Sequence, residues 1–471
     1  MVMDQSALIQ AVVKEVLTQL GTANIAPRTS SGAFGIFKDV NQAVDAAKRA
    51  QKQLADKGVK VRDAICKMIK RIGIENADSW GKIELDETKV GRLDHKIEKL
   101  HWLAGVPAVE FLKSVAHSGD DGIGIDEAAP WGVIGVVTPV THSIPTLSAN
   151  AINMIAAGNS LVINAHPSGY KCAVMAVRTY NKAIAEKFGI EDLICIIDPP
   201  TLESANAIFE HKDIPLLAIT GGPMVARAAM AQRKRAVVGG PGNPPVVVDE
   251  TANLDLAAKS IIAGGSFDNN LLCISEKEVF VVEKVFDRMM EAMARHGAVR
   301  LNAGQIESLT KKAFAWKDNH WAVQKELVGK DCSVLAEAAG LPGGGGVKCD
   351  LLYGETDESN PFVPEEQMMP FVPFVRVANF EKALELAVKH EHGFGHTAII
   401  HSNNLENITR MGRVMNTTLY VVNGPCTAAL AGGGEGYPSY TIATPTGEGV
   451  TNPMTFTRFR RLTMAGSLRV V

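Results

Sequence analysis

From residue 131 onward, short apolar runs alternate with longer amphipathic segments, and this alternation sets the fold class. "WGVIGVVTPV" (131–140) is a strand-forming run, "TLSANAINMIAAGN" (146–159) has helical spacing, and "SLVINAHP" (160–167) is strand-like again. "KCAVMAVRTYNKAIAEKFG" (171–189) predicts a helix, whereas "LICIIDPP" (193–200) and "IPLLAITGG" (214–222) predict strands. Strands apolar on both faces and separated by helices require crossover connections, hence a parallel sheet covered by helices. That is an α/β fold, the usual home of a nucleotide. A second series begins at "AVVGGPGNPPVVVDE" (236–250) and ends at "LYVVNGP" (419–425). A chain of 471 residues has room for two or three such domains.

Outside these series the pattern changes. Residues 40–116 carry apolar side chains at three- and four-residue spacings and read as mainly helical. "SGDDGIGIDEAAPW" (118–131) is turn-rich and suits a hairpin or crossing arm, and "MTFTRFRRLTM" (454–464) reads as a strand. Residues 1–20 place Ile9, Val12, Val13, Val16, Leu17 and Leu20 on one helical stripe, and 21–32 read as a flexible linker. A tethered apolar face wants a partner. The segment lacks the basic start of a secretory signal and the arginines of a mitochondrial presequence.

Composition narrows the function. Charged residues make up 21% and the net charge is −3, which gives no reason to expect nucleic acid. No run approaches eighteen apolar residues, so no membrane span is expected. The seven cysteines are scattered, which is neither a disulfide framework nor a zinc pattern and suits a reducing interior. His390, His392 and His396 in "KHEHGFGH" lack neighbouring cysteine or aspartate, so no metal site is expected.

Phosphates have one good candidate seat. "LLAITGGPMVARAAM" (216–230) runs strand, two glycines, proline and helix, which offers free N–H groups to a pyrophosphate. "GFGHTA" (393–398) follows a helix rather than a strand, and "GLPGGGG" (340–346) lacks a phosphate-binding lysine and reads as a mobile surface loop. "GGSFDNNLLCISEKEVF" (264–280) holds Cys273, with no histidine within twenty residues on either side. Cys273 is either a small buried apolar residue or a nucleophile.

Several stretches, in order and at matching spacing, resemble the aldehyde dehydrogenase superfamily from about residue 36 onward. They include "APWGVIGVVTPVTHSIPT", "TGGPMVARAA", "AVVGGPGNPPVVVDETANLDLA", "FDNNLLCISEKEV", "PEEQMMPFVPFV", "EHGFGHTAIIHS" and "YPSYTIATPTGEGVTNPMTFTRFRR". Within it the chain is similar to the CoA-acylating propionaldehyde and acetaldehyde dehydrogenases of bacterial microcompartments. The resemblance implies a Rossmann-type cofactor domain, an α/β catalytic domain and a β oligomerisation arm. In residues these are 36–238, interrupted by the arm at 118–131, then 239–445, with an oligomerisation strand at 446–471. A targeting helix at 1–20 and a linker at 21–35 precede them.

The resemblance also assigns roles. Cys273 becomes the nucleophile, passing through a thiohemiacetal to an enzyme thioester. The superfamily's oxyanion-holding asparagine aligns with Thr141, and many acylating relatives have asparagine at His142, so either could contribute. Thr220, Gly221 and Gly222 match the pyrophosphate turn of NAD, Glu366 the ribose-binding glutamate, and Pro139 and Asn164 line the cofactor cleft. Hydrolytic members carry a glutamate that activates water, and that position here is Val237. Valine accepts no proton, so the acyl group is expected to pass to the thiol of CoA. Glu276 is the nearest carboxylate that could substitute as a base. The resemblance further implies a short aliphatic aldehyde substrate, a dimer or dimer of dimers, and docking of residues 1–20 onto a shell protein. The expected location is a microcompartment lumen in a bacterial cytoplasm.

Overall fold

The structure, a computed structural model, describes residues 34–317 and 319–470. The expected helix at 1–20 and nearly all of the linker lie outside them. Two parallel sheets form the body. The first has six strands, ordered Ile36–Phe37, Ile194–Ile197, Ser160–Ala165, Val133–Thr138, Leu216–Thr220 and Arg235–Gly239. Val133–Thr138 and Ser160–Ala165 are buried at every residue, which is why they read as unbroken apolar runs. Helix Ser143–Ala156 between them is also buried along its whole length.

The chain steps outward from Val133–Thr138 through Ser160–Ala165 to Ile194–Ile197. It then returns to Leu216–Thr220 on the other side of Val133–Thr138. That reversal opens a crevice at the carboxyl ends of the two central strands, where open α/β sheets take their ligands.

The second sheet has seven parallel strands, ordered Val299–Arg300, Leu352–Thr356, Phe371–Val377, Glu278–Val282, Pro245–Val248, Thr397–His401 and Leu419–Val422. The chain enters it from Arg235–Gly239 through residues 240–244. The outgoing end of the first sheet is therefore joined directly to the incoming end of the second.

Val115–Gly119, Gly122–Pro130 and Thr457–Ala465 form a separate antiparallel sheet. The arm begins at Val115 rather than 118, because the glycines at 119 and 122 bracket the hairpin tip. Phe459, Leu462 and Met464 on its last strand are exposed. "GLPGGGG" lies at the surface, with Gly340, Pro342, Gly343, Gly345 and Gly346 exposed; only Gly344 is buried, where a Cβ would lie 2.7 Å from Glu337 Cα. Among the described residues no helix is long and apolar enough to cross a membrane.

Candidate active site

Helix Leu254–Ser266 ends in a short turn, Phe267–Asn270, that delivers Cys273 to the incoming end of strand Glu278–Val282. Asp268, Asn269 and Asn270 have φ of +49°, +58° and +65°. Three successive left-handed residues are costly for L-amino acids, and short polar side chains bear that cost best. Each is tied down. Asn269 Nδ2 donates to Gly329 O at 3.0 Å and Asp331 Oδ1 at 2.8 Å. Asn270 Nδ2 donates to Gly265 O at 2.8 Å and Glu276 O at 2.9 Å.

Asp268 sits in a buried charge cluster. Its Oδ1 accepts the Arg92 N–H at 2.8 Å, and its Oδ2 pairs with Lys99 and, at 3.6 Å, with Lys96. Both lysines project from one face of helix Leu93–His101. Lys96 also donates to Glu84 Oε1 at 3.0 Å and to the Thr141 carbonyl at 2.8 Å. Lys99 reaches the Thr141 carbonyl and His142 Nδ1, both at 3.2 Å. Burial raises the Asp268 carboxyl, but the two lysines outweigh it and hold it below its ordinary value. Burial, with Lys99 and Lys96 adding, pushes His142 well down, so its ring is neutral. The cluster thus clamps the 141–142 turn of the first sheet to the turn carrying Cys273.

Cys273 is partly exposed. Burial first, then the Glu366 carboxylate, push its thiol up to about 12, while Lys277 opposes them. Burial pushes Glu366 up to about 7, against Lys277 and the Gly242 N–H. Lys277, itself lowered by burial, donates to Asn270 O at 2.9 Å. A Cβ on Gly242 would strike the Cys273 carbonyl and come within 3.1 Å of His396 Cγ, so the nucleophile and a histidine converge on this glycine. His396 is fully buried at the incoming end of strand Thr397–His401. Its Nδ1 contacts Thr397 Oγ1 at 2.8 Å, and its Nε2 has no partner among the described residues. Burial, with Lys277 adding, pushes it down to about 4.

The cofactor candidates lie at the carboxyl edge of the first sheet. Thr220 Oγ1 contacts Thr441 Oγ1 at 2.8 Å, and Gly222 caps helix Pro223–Met230. A Cβ on Gly222 would meet nothing within 4 Å, and one on Gly221 only Val225 at 3.9 Å. The chain's own packing therefore does not explain this pair, and the open face leaves space for a ligand beside free N–H groups. Asn164 is engaged locally, its Nδ2 donating to Thr201 O at 3.3 Å and its Oδ1 accepting from Ser204 Oγ at 2.6 Å. Pro139 follows strand Val133–Thr138 and is half-buried. Val237 is fully buried in a hydrophobic cluster with Ala218, Tyr440 and Ala443.

The model of the aldehyde dehydrogenase family matches residues 33–439. The chain belongs to this family. It is 41% identical to the acetaldehyde dehydrogenase (acetylating) EutE of Salmonella typhimurium, over 98% of this chain and 99% of that protein. The structure of a propionaldehyde dehydrogenase from the Clostridium phytofermentans fucose utilisation bacterial microcompartment superposes with a TM-score of 0.89 at 38% identity. It covers 93% of this chain and 100% of its own. A Rhodopseudomonas palustris propionaldehyde dehydrogenase, with bound CoA and an acylated cysteine, gives a TM-score of 0.89 at 36% identity over 93% and 99% of the two chains.

In this aldehyde dehydrogenase the Glu366 carboxylate lies near enough to raise the Cys273 thiol, and Lys277 acts on both, while Gly242 packs against the Cys273 carbonyl and His396. The two histidines near His396 in sequence are engaged elsewhere. His390 stacks on Phe280, and His392 Nε2 contacts Pro364 O at 2.7 Å. Among the described residues no group of three or more metal-ligating side chains forms. Glu276 is held elsewhere: Oε1 accepts the Cys426 N–H at 2.9 Å, and the carboxylate fills the space a Cβ on Gly264 would need.

Proposed function

We propose that this enzyme oxidises a short aliphatic aldehyde such as propanal and passes the acyl group to CoA, reversibly, with Cys273 as nucleophile. The observation that carries the choice of acceptor is Val237. At the position where hydrolytic relatives keep a water-activating glutamate, the chain buries a valine among apolar side chains. Water, with a pKa of about 15.7, is a poor acceptor without a base. A thiol, with a pKa of about 8.5, is already partly ionised near neutrality.

Cys273 gives its thiol proton to solvent, its sulfur adds to the aldehyde carbonyl, and the resulting oxyanion is stabilised by the Cys273 N–H. Thr141 and His142 are both candidates for the side-chain partner: Lys99 donates to His142 Nδ1, which leaves Nε2 of the neutral ring to carry the proton. Loss of hydride converts the thiohemiacetal to a thioester on Cys273. When bound, a nicotinamide dinucleotide supplies the hydride acceptor. Thr220, Gly221 and Gly222 would hold its pyrophosphate, Glu366 its ribose hydroxyls, and Pro139 and Asn164 would flank it. His396, neutral and with Nε2 free of protein partners, accepts the proton of the incoming CoA thiol. That thiol then displaces Cys273 and regenerates it.

The exposed sheet containing Phe459, Leu462 and Met464 supports assembly of two copies, as a dimer or a dimer of dimers. The apolar spacing in the sequence of residues 1–20 supports docking onto a shell protein and residence in a microcompartment lumen of the bacterial cytoplasm. The chemistry is tested by mixing enzyme, propanal and NAD⁺ without CoA and mapping the digest by mass spectrometry. A propionyl adduct on Cys273, discharged as propionyl-CoA when CoA is added, is the expected result. An unmodified Cys273 alongside accumulating propionate would overturn the proposal.

A further inference from the structure

Cys332 and Cys349 are separated in sequence but adjacent in space. Cys332 opens helix Cys332–Ala338, and Cys349 lies in the loop before strand Leu352–Thr356. Both line a cavity of about 910 Å³ with Arg92, Asn269, Asp331 and Asp350, close enough for each thiol to shift the other's ionisation, and Cys332 Sγ donates to Pro370 O at 3.7 Å. Cys332 is buried and Cys349 half-buried.

The residues flanking this pair anchor the turn that carries Cys273. Asp331, beside Cys332, accepts Asn269 Nδ2 at 2.8 Å. Asp350, beside Cys349, pairs with Arg92 Nη1 at 2.6 Å, and the Arg92 N–H donates to Asp268 Oδ1 at 2.8 Å. Two of the three left-handed residues are thus held through the immediate neighbours of two thiols that line one cavity.

We propose that Cys332 and Cys349 form a thiol–disulfide exchange site, closed by low-molecular-weight disulfides, that displaces the Cys273 turn when oxidised. The Cys349 thiolate attacks one sulfur of the disulfide RSSR, forming a Cys349–S–S–R bond and releasing RS⁻. Cys332 loses its proton to solvent and attacks the Cys349 sulfur, expelling a second RS⁻. Two protein thiols are oxidised by two electrons, and RSSR is reduced to two thiols once the anions are reprotonated. The neighbouring Cys332 thiol lowers Cys349, while Cys349 and burial raise Cys332, which makes the accessible cysteine the attacker and the buried one the resolver. An S–S bond of about 2.05 Å is much shorter than a contact between two thiols, so closure must move the cysteines and the aspartates attached to them.

The test uses the full-length reduced protein and oxidised glutathione as probe, with non-reducing peptide maps and CoA-dependent NADH formation measured on the same samples. The expected result is a Cys332–Cys349 cross-linked peptide, with turnover falling about tenfold or more as the turn is misplaced. Dithiothreitol should reverse both effects, and Cys273 should remain free in the same maps. Cys349→Ser and, independently, Cys332→Ala should retain their activity through the treatment. A lasting glutathione adduct on Cys349 without the cross-link would overturn the proposal. So would a complete cross-link with unchanged turnover, or equal inactivation of either variant.

Discussion

Cys273 carries an unresolved tension at the scale of single residues. Burial and Glu366 push its thiol up to about 12, so the free enzyme holds the nucleophile protonated at neutral pH. For a thiol raised this far, the reactive fraction grows roughly tenfold per pH unit until pH approaches the pKa. Iodoacetamide labelling of Cys273, followed by mass spectrometry, should therefore climb without a plateau between pH 7 and pH 9.5. A plateau near pH 7 would mean that Lys277 dominates instead. His396 carries a separate prediction. His396→Gln should cut steady turnover by about 10²- to 10³-fold while leaving the first-turnover burst of NADH intact, because the residue serves transfer to CoA. Equal loss of the burst would place it in the acylation step.

At the scale of elements, the left-handed turn at 268–270 is the part on which the site depends most. Asp268 balances two lysines that are almost completely buried. Asp268→Ala should cost about 3–5 kcal/mol in denaturant unfolding, because both ammonium groups lose that partner inside the protein. An exposed pair such as Lys311–Glu307, at 2.6 Å, should cost less than about 1 kcal/mol when broken. Similar costs for the two would remove the clamp from the account. The cluster was not legible in the sequence. "LDHKIEKLH" reads as an ordinary solvated helix, and only the fold buries Lys96 and Lys99 against Asp268 and Thr141. Likewise His396 and Cys273 meet at Gly242 only through the sheet order, which places strands Thr397–His401 and Glu278–Val282 on either side of Pro245–Val248. The Cys273 motif, by contrast, is local and was legible as a candidate nucleophile, whereas its left-handed backbone at 268–270 appears only in the structure.

At the scale of the whole molecule, the alternation of apolar runs with helices carried the two-sheet architecture, because buried parallel strands leave an unmistakable pattern. The edges of the arm were harder to read, since an exposed antiparallel sheet lacks that signature. Leu462, 60% exposed, lies on the strand proposed to meet a second copy. Leu462→Asp should lower the mass measured by sedimentation by at least half while each subunit stays folded. An unchanged mass would remove this strand from the interface.

The joining of the first sheet's outgoing end to the second sheet's incoming end carries the chain from Val237 to Gly242, against which the Cys273 carbonyl packs. NADH formation from propanal, followed with and without CoA, tests that account most directly. Sustained turnover only with CoA, abolished by Cys273→Ala, is the predicted result. Equal sustained turnover without CoA would mean that water receives the acyl group and that the buried Val237 does not decide the acceptor.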